Sequence, residues 1–523
     1  MSSLRTLLLI SSLIPLAACG ADDVASPGEG VIVIPAPGPG TPPPPPPPPP
    51  PPTGGAFTGA TPAGFIDRGV INNKRVFEMP ARFTQDTTIQ NFPGAVYQIA
   101  GPVNVGTDIG GEGNKAGGQA VTLTIQPGTV IIATDGTSYL AVNRGSRLNA
   151  VGTASQPIIF TADDQLNGTV TDSSQGLWGG IILLGRAPIS DCNTQVAGGS
   201  AQCEQVIEGT TSSLYGGALA TDNSGSLRFV QIRYSGVAIA TGNELQGLTM
   251  GGVGNNTTID HVQVHNSSDD GIEIFGGRVN AKYLAITGAD DDSLDTDLGY
   301  RGTVQFVIGV QRDASNGDSM IEADSNGNED ALPRQYTRVS NATFIQRGNT
   351  QGGNAILLRG GTDYALLNSI VSGPQACIDI DETGGTTTRA NNAGLQDVGP
   401  PVFRSVVLAC PTAFRSDNNV TPDAIAAIFG SGTNNNNSAF TISLTSVFVN
   451  GPNETGVAAT DPTTFNADAF ATVNTGAPNR LEAVSFIGAV RNAQDTNFAG
   501  WTCNAGYVNF GSNSGSCTAL PTT

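Results

Sequence analysis

The chain has 523 residues, of which 68 are Gly and 33 are Pro, and its 44 acidic against 24 basic side chains leave a formal charge of −20. Phosphate recognition needs a surplus of Lys and Arg, so this balance excludes a basic nucleic-acid binder. The abundance of helix-interrupting residues excludes helical bundles and coiled coils, and leaves a turn-rich, acidic, β-dominated protein.

At the start of the chain, Arg5 precedes an apolar run at residues 7–14, followed by Pro15, Leu16, Ala17, Ala18 and Cys19. Residues 1–18 are too short to span a bilayer as a mature helix and read as an export signal. The Leu-Ala-Ala-Cys ending resembles the bacterial lipobox, which implies cleavage before Cys19 and a diacylglycerol on its thiol. Gly20 stands where inner-membrane retention signals carry Asp, so the resemblance implies an outer-membrane lipoprotein, on the periplasmic or the cell-surface face. Acyl chains would hold it there without a transmembrane segment. Residues 19–56 are then anchor and tether. The unbroken Pro run at 42–52 adopts polyproline II, which at about 3 Å per residue reaches roughly 35 Å. With Cys19 lipidated, six cysteines remain for an oxidising compartment. Nearness in sequence suggests Cys192 with Cys203, Cys377 with Cys410 and Cys503 with Cys517, among the other pairings that six cysteines permit.

Residues 57–120 are expected to form an N-terminal cap. From residue 121, short β-branched runs recur between Gly, Asn, Asp and Ser, at 121–126, 130–133, 158–161 and 181–184, none long enough for a helix. The run FVQIRYSGVAI at 229–239 aligns with HVQVHNSSDDGIEI at 261–274 and with YLAITGADDDSLD at 283–295, and further copies begin near Phe306, Ala342, Leu366 and Arg404. The starts at His261, Tyr283 and Phe306 are 22 and 23 residues apart. A strand-turn-strand unit this short cannot bury its own apolar face, so neighbours must stack. This places a solenoid at 121–412 and a C-terminal cap region at 413–523. Thr421, Pro422 and Gly430 mark one short helix within that region. The repeat resembles the right-handed parallel β-helix, or pectate-lyase-like, superfamily, in its branch of uncharacterised exported lipoproteins. The resemblance implies an all-β, right-handed parallel β-helix.

Residues 269–330 hold 14 of the 44 acidic side chains, with Arg278, Lys282, Arg301 and Arg312 as their basic neighbours. Placed on the repeat, Asp270 falls near Asp292 and Asp318. Glu273 falls near Asp295, Glu322 and Asp379, with Asp297 and Asp324 two residues further on. Equivalent positions on adjacent strands lie about 5 Å apart, where like charges raise each other's pKa unless a cation intervenes. A Ca²⁺ site among Asp270, Glu273, Asp292, Asp295, Asp297, Glu322 and Asp324 is therefore expected. The same residues also read as solvated turn carboxylates, or as a catalytic acid pair.

The resemblance implies two chemistries. Polygalacturonase-type hydrolysis uses three Asp residues, and NSSDDGI at 266–272 looks partly like that family's motifs, but its G-H-G and R-x-K elements are missing. Pectate-lyase-type elimination needs Ca²⁺ and a basic side chain, for which Lys282 or Arg301 would serve beside Asp295. His265, four residues after His261 on one strand face, is a candidate ligand contact or part of a surface stack with Tyr234 and Thr287. Trp178 is a candidate sugar platform or a core aromatic. Together these features describe a lipid-anchored envelope β-helix that binds an extended partner, polysaccharide or another envelope component. A Ca²⁺-dependent polysaccharide lyase or glycoside hydrolase is the alternative, and an accessory subunit of an outer-membrane transporter or secretion system is a further one.

Overall fold

The computed structural model describes residues 55–521, apart from 241, 313–316, 326, 348–352 and 417–418. Cys19 and the Pro run lie outside the described residues. Strands dominate because apolar and polar side chains alternate over short runs between glycines, which suits a pleated surface with one face buried. They stack in parallel into two large sheets. One has eleven strands whose order follows the chain from Arg82–Phe83 to Thr412–Arg415. The other has 17 strands, because five coils cross it as two separate strands that meet at a corner, whereas Gly225–Arg233 and the four coils after it each run through the corner as one strand.

The corner explains the repeat. Phe229, His261, Tyr283 and Phe306 have φ of 52°, 56°, 54° and 62°, the left-handed region that side-chain-bearing residues avoid. Pairing runs in register on either side of them, Arg228 with Asp260 with Lys282 and Val230 with Val262 with Leu284, and skips the corner residue itself. Each such conformation costs about 1 kcal/mol or more. Ring stacking along the corner offsets it: successive centroids from Phe229 to His261 to Tyr283 to Phe306 lie 4.4, 4.4 and 4.7 Å apart. The 22- and 23-residue periods are thus the spacing of one corner position on successive coils.

Inside, side chains at equivalent positions form continuous columns, such as Ile259, Ala281, Val304, Val339, Leu366 and Phe403. These columns merge into a single apolar core running from Phe77 to Phe429. The region boundaries differ from the sequence expectation, while the short helix forms where Thr421, Pro422 and Gly430 placed it. Parallel coiling begins at Lys74–Glu78, which pairs with Ala95–Ile99, so most of 57–120 is solenoid rather than cap. The antiparallel strand Ile66–Ile71 covers the first edge. At the other end, helix Pro422–Phe429 closes the last coil, with the Thr421 hydroxyl accepting from the Ala424 amide at 3.2 Å and with Ile425 and Phe429 in the core.

The rest of the C-terminal region is no cap. It returns as a strap along the outer face of the larger sheet, towards the early coils. Asn368 pairs with Thr460, Gln305 with Glu482 and Gln263 with Cys503, and Gln165 finally donates to the Cys517 carbonyl. The three disulfides join Cys192 to Cys203, Cys377 to Cys410 and Cys503 to Cys517, the pairings that nearness in sequence suggested.

Candidate functional site

On the eleven-stranded sheet, strand alternation sends Ile272, Ile274 and Leu294 into the core and turns Glu273, Asp295 and Glu322 outward, in register with one another. An excursion between Leu184 and Gly225, held by Cys192–Cys203, covers the earlier rungs of this outer face. Its Ile189, Ile207 and Tyr215 pack on Ile182, Leu184 and Phe275. The cover ends where Glu208 comes into hydrogen-bond contact with Glu273. Gln246, fixed by the Thr249 hydroxyl at 2.6 Å, donates to Glu208 and, at 3.4 Å, to Asp269. On the far side Arg359 pairs with Glu322 and, at 3.3 Å, with Asp324.

At the centre, Asp270, Glu273 and Asp295 each bring a carboxylate oxygen within 4.8 Å of the others. Asp297 is 4% exposed, and its Oδ1 has no hydrogen-bond partner. Burial, reinforced by neighbouring carboxylates, pushes Asp270, Glu273, Asp292, Asp295 and Asp297 well above the ordinary carboxyl range. The same causes lift Asp269 to about 8 and Asp291 to about 6, and burial lifts Glu208 to about 6. Such a group of carboxyls must share protons or a cation.

The column Glu273, Asp295, Glu322 forms as the repeat implied, but Leu357 occupies the next rung and separates Asp379 from it. Asp270 and Asp292 also tie coils together, each Oδ1 accepting a backbone amide of the next coil, from Asp292 at 2.8 Å and Ser319 at 2.6 Å. Asp318 therefore falls one residue out of that stack, and its amide donates to the Asp291 carbonyl.

The expected basic partners lie elsewhere. Lys282 belongs to the larger sheet and pairs with Glu482 of the strap at 2.9 Å. Arg301, just ahead of Thr303–Val310 of the same sheet, grips Asp468 with two bonds of 2.7 and 2.6 Å. Both are near the acidic run in sequence, but the coil turns onto another face in between, so neither serves Asp295. Among the described residues, Arg359 is the cation that pairs with the cluster's carboxylates. His265 does touch Tyr234 and Thr287, with rings 5.6 Å apart and a bond of 2.9 Å, yet the stack is buried beneath Tyr507 rather than on the surface. Burial, and then Arg233 and Arg312, hold His265 down to about 3, so it is neutral. Trp178 is a core residue and no sugar platform: it is fully buried, stacks on Phe160 and donates its indole N–H to the Arg233 carbonyl at 2.8 Å.

The sequence reading missed Glu208, Gln246, Asp269, Asp291 and Arg359. Asp269 and Asp291 each adjoin a named carboxylate in sequence, which was a usable signal. Glu208 comes from the excursion, outside the repeat, and has none.

The ligand atoms that converge are carboxylate oxygens, the hard ligands that suit Ca²⁺. The unpartnered Asp297 oxygen is what a cation would satisfy. Carboxyls titrating near neutrality can also give or take a proton. No curated protein and no solved structure matches the chain significantly. What does match is a model built on stacked parallel coils like these, the pectate-lyase-like β-helix domain. The match runs over residues 109–444, from the early rungs past the closing helix, and the chain belongs to that family.

Proposed function

We propose that the protein is a lipid-anchored component of the cell envelope that holds Ca²⁺ on its acidic outer face and binds an extended polysaccharide there. The observation that carries this reading is the convergence of Asp270, Glu273 and Asp295 beside the unpartnered Asp297. A divalent ion would relieve the mutual repulsion of the cluster and present positive charge to a uronate or similar acidic sugar. The rungs that continue the face past Glu322 extend it along the solenoid axis, which suits a chain-like ligand better than a small metabolite. Binding is favoured over elimination because Arg359 is engaged by Glu322 and Asp324. Its pKa is raised by those carboxylates against an opposing effect of burial, so it is a poor base.

Catalysis is the second reading. Asp269 at about 8 would be an acid with a proton to give at neutral pH, and Asp291 at about 6 a carboxylate able to take one. The experiment is titration of the purified protein with a polyuronate panel, with Ca²⁺ or with EDTA, while unsaturated ends and reducing ends are followed. Ca²⁺-dependent binding without product, weakened about tenfold or more by Asp295→Asn, is the expected result. Turnover lost in Asp295→Asn would establish the enzyme instead, and no binding to any glycan would overturn both. The anchor is tested separately by labelling with a radioactive fatty acid, which Cys19→Ser should abolish.

A further inference from the structure

Where the strap crosses the larger sheet, it closes over a cavity of about 40 Å³ lined by Arg278, Arg301, Arg338 and Arg480. Arg278 and Arg301 occupy equivalent positions of adjacent coils, two residues before the paired Asn280 and Thr303, and Arg338 lies opposite Thr303 on the next. All three are at least nine-tenths buried. Against these four Arg residues the lining holds a single acidic side chain, Asp468, so the cavity carries a surplus of three positive charges in a protein of charge −20.

Asp468 is already committed. It takes both bonds from Arg301, and Arg338 approaches it no closer than 4.0 Å. Arg338 otherwise donates to the carbonyls of Gly302, Phe465 and Ala467. Arg278 meets backbone carbonyls, of Pro188, Gly277 and Gly299, and among the described residues it forms no ion pair. Burial and the neighbouring Arg301 depress its pKa to about 9. Buried cations left without counter-charge are strongly destabilising, and guanidinium groups flanked by side-chain amides are the donor set that oxyanions select. Asn255, Asn280, Asn466, Asn474 and Thr303 supply those further polar groups.

We propose that this cavity is an oxyanion site that takes a tetrahedral phosphate or sulfate group between the solenoid and the strap. Its volume fits roughly a few waters or one such group. The site lies on a different sheet from the acidic cluster and does not depend on it. The charge surplus calls for a dianion, and Arg278, which has no carboxylate, is the residue that would bind it most directly. A bound anion would also fasten the strap to the coils of Arg278, Arg301 and Arg338.

The test is calorimetric titration and thermal melting of the full chain in EDTA, using sodium phosphate and sodium sulfate as probes and sodium chloride at matched ionic strength as the control. Saturable one-to-one binding and a raised Tm with phosphate or sulfate are expected, with affinity at least about tenfold weaker in Arg278→Gln. Arg278→Gln removes an unpaired buried charge, so its melting temperature without anion should hold or rise, which separates lost binding from lost folding. A hexose 6-phosphate arm distinguishes the sources. Binding of both probes assigns the acidic group of a larger ligand, and binding of the free ion alone assigns a small anion. No heat and no shift with either oxyanion would sink the proposal, as would undiminished binding in Arg278→Gln.

Discussion

Arg144 shows what one side chain settles in this fold. It is fully buried, with two bonds to Asp108 of 2.7 and 2.8 Å, one to Glu204 of 2.8 Å and one to the Gly216 carbonyl of 3.0 Å. It thereby pins the Cys192–Cys203 excursion to an early coil. Burial pushes Asp108 up, but the bonds from Arg144 and Lys115 prevail and hold it at about 2. Arg144→Met leaves Asp108 with Lys115 alone and takes from Glu204 its Arg144 partner, and should cost about 3 kcal/mol in chemical denaturation, part of it recovered by a second change, Asp108→Asn. The acidic cluster has the opposite sign. Folded Asp269, Asp291 and Glu208 hold protons up to about 8, 6 and 6, against ordinary values of 3.8, 3.8 and 4.5. The native state therefore binds more protons than the unfolded chain across that interval, and stability falls as pH rises through it. Melting in EDTA should show Tm dropping between about pH 5 and 8, and Ca²⁺ should flatten the slope by displacing those protons. A flat profile in EDTA would contradict the electrostatics described.

At the scale of elements, the strap is held by side chains that imitate a strand. Gln263 donates to the Cys503 carbonyl at 3.1 Å and accepts its amide at 2.7 Å; Gln305 does the same with Glu482, and Asn368 with Thr460. One amide side chain supplies both a donor and an acceptor, which is what a backbone edge requires. Gln263→Ala should leave both Cys503 groups without partners. It should speed hydrogen exchange around residues 500–517 by about ten- to a hundredfold while the coil amides keep their protection. Equal acceleration in the coils would mean that the strap is part of the cooperative unit.

The same elements show what was legible in the sequence. The corner period could be read because aromatic residues recur there, and the column Glu273, Asp295, Glu322 followed from it. Lys282 and Arg301 were misplaced because the turns between the two sheets, after Thr287 and after Asp297, leave no mark on sequence distance. Glu208 and Arg359 come from outside the regular rungs, so no periodicity announces them. The strap was invisible because Gln263, Gln305 and Asn368 read as ordinary polar positions, and their partners lie hundreds or nearly a hundred residues away.

For the whole molecule, the strap changes the character of the repeat. A bare solenoid is a one-dimensional stack in which each coil answers to its neighbours. Here Asn368, Gln305, Gln263 and Gln165 tie one continuous segment to coils spread along the stack. The strap ends near where the coils begin: Leu520 packs against the cluster of Val76, Val96, Val130, Ile132, Ile159 and Leu166, and at the same end Phe57 leans on Phe77 with ring centroids 5.9 Å apart. The two ends of the described chain are therefore mechanical neighbours. A pull between them does not stretch the solenoid along its axis, because the load falls first on Leu520 and on the Gln165 bond to Cys517. The strap would peel from that end, one amide at a time. The coils carrying the acidic face lie beyond the part of the molecule that bears the first tension.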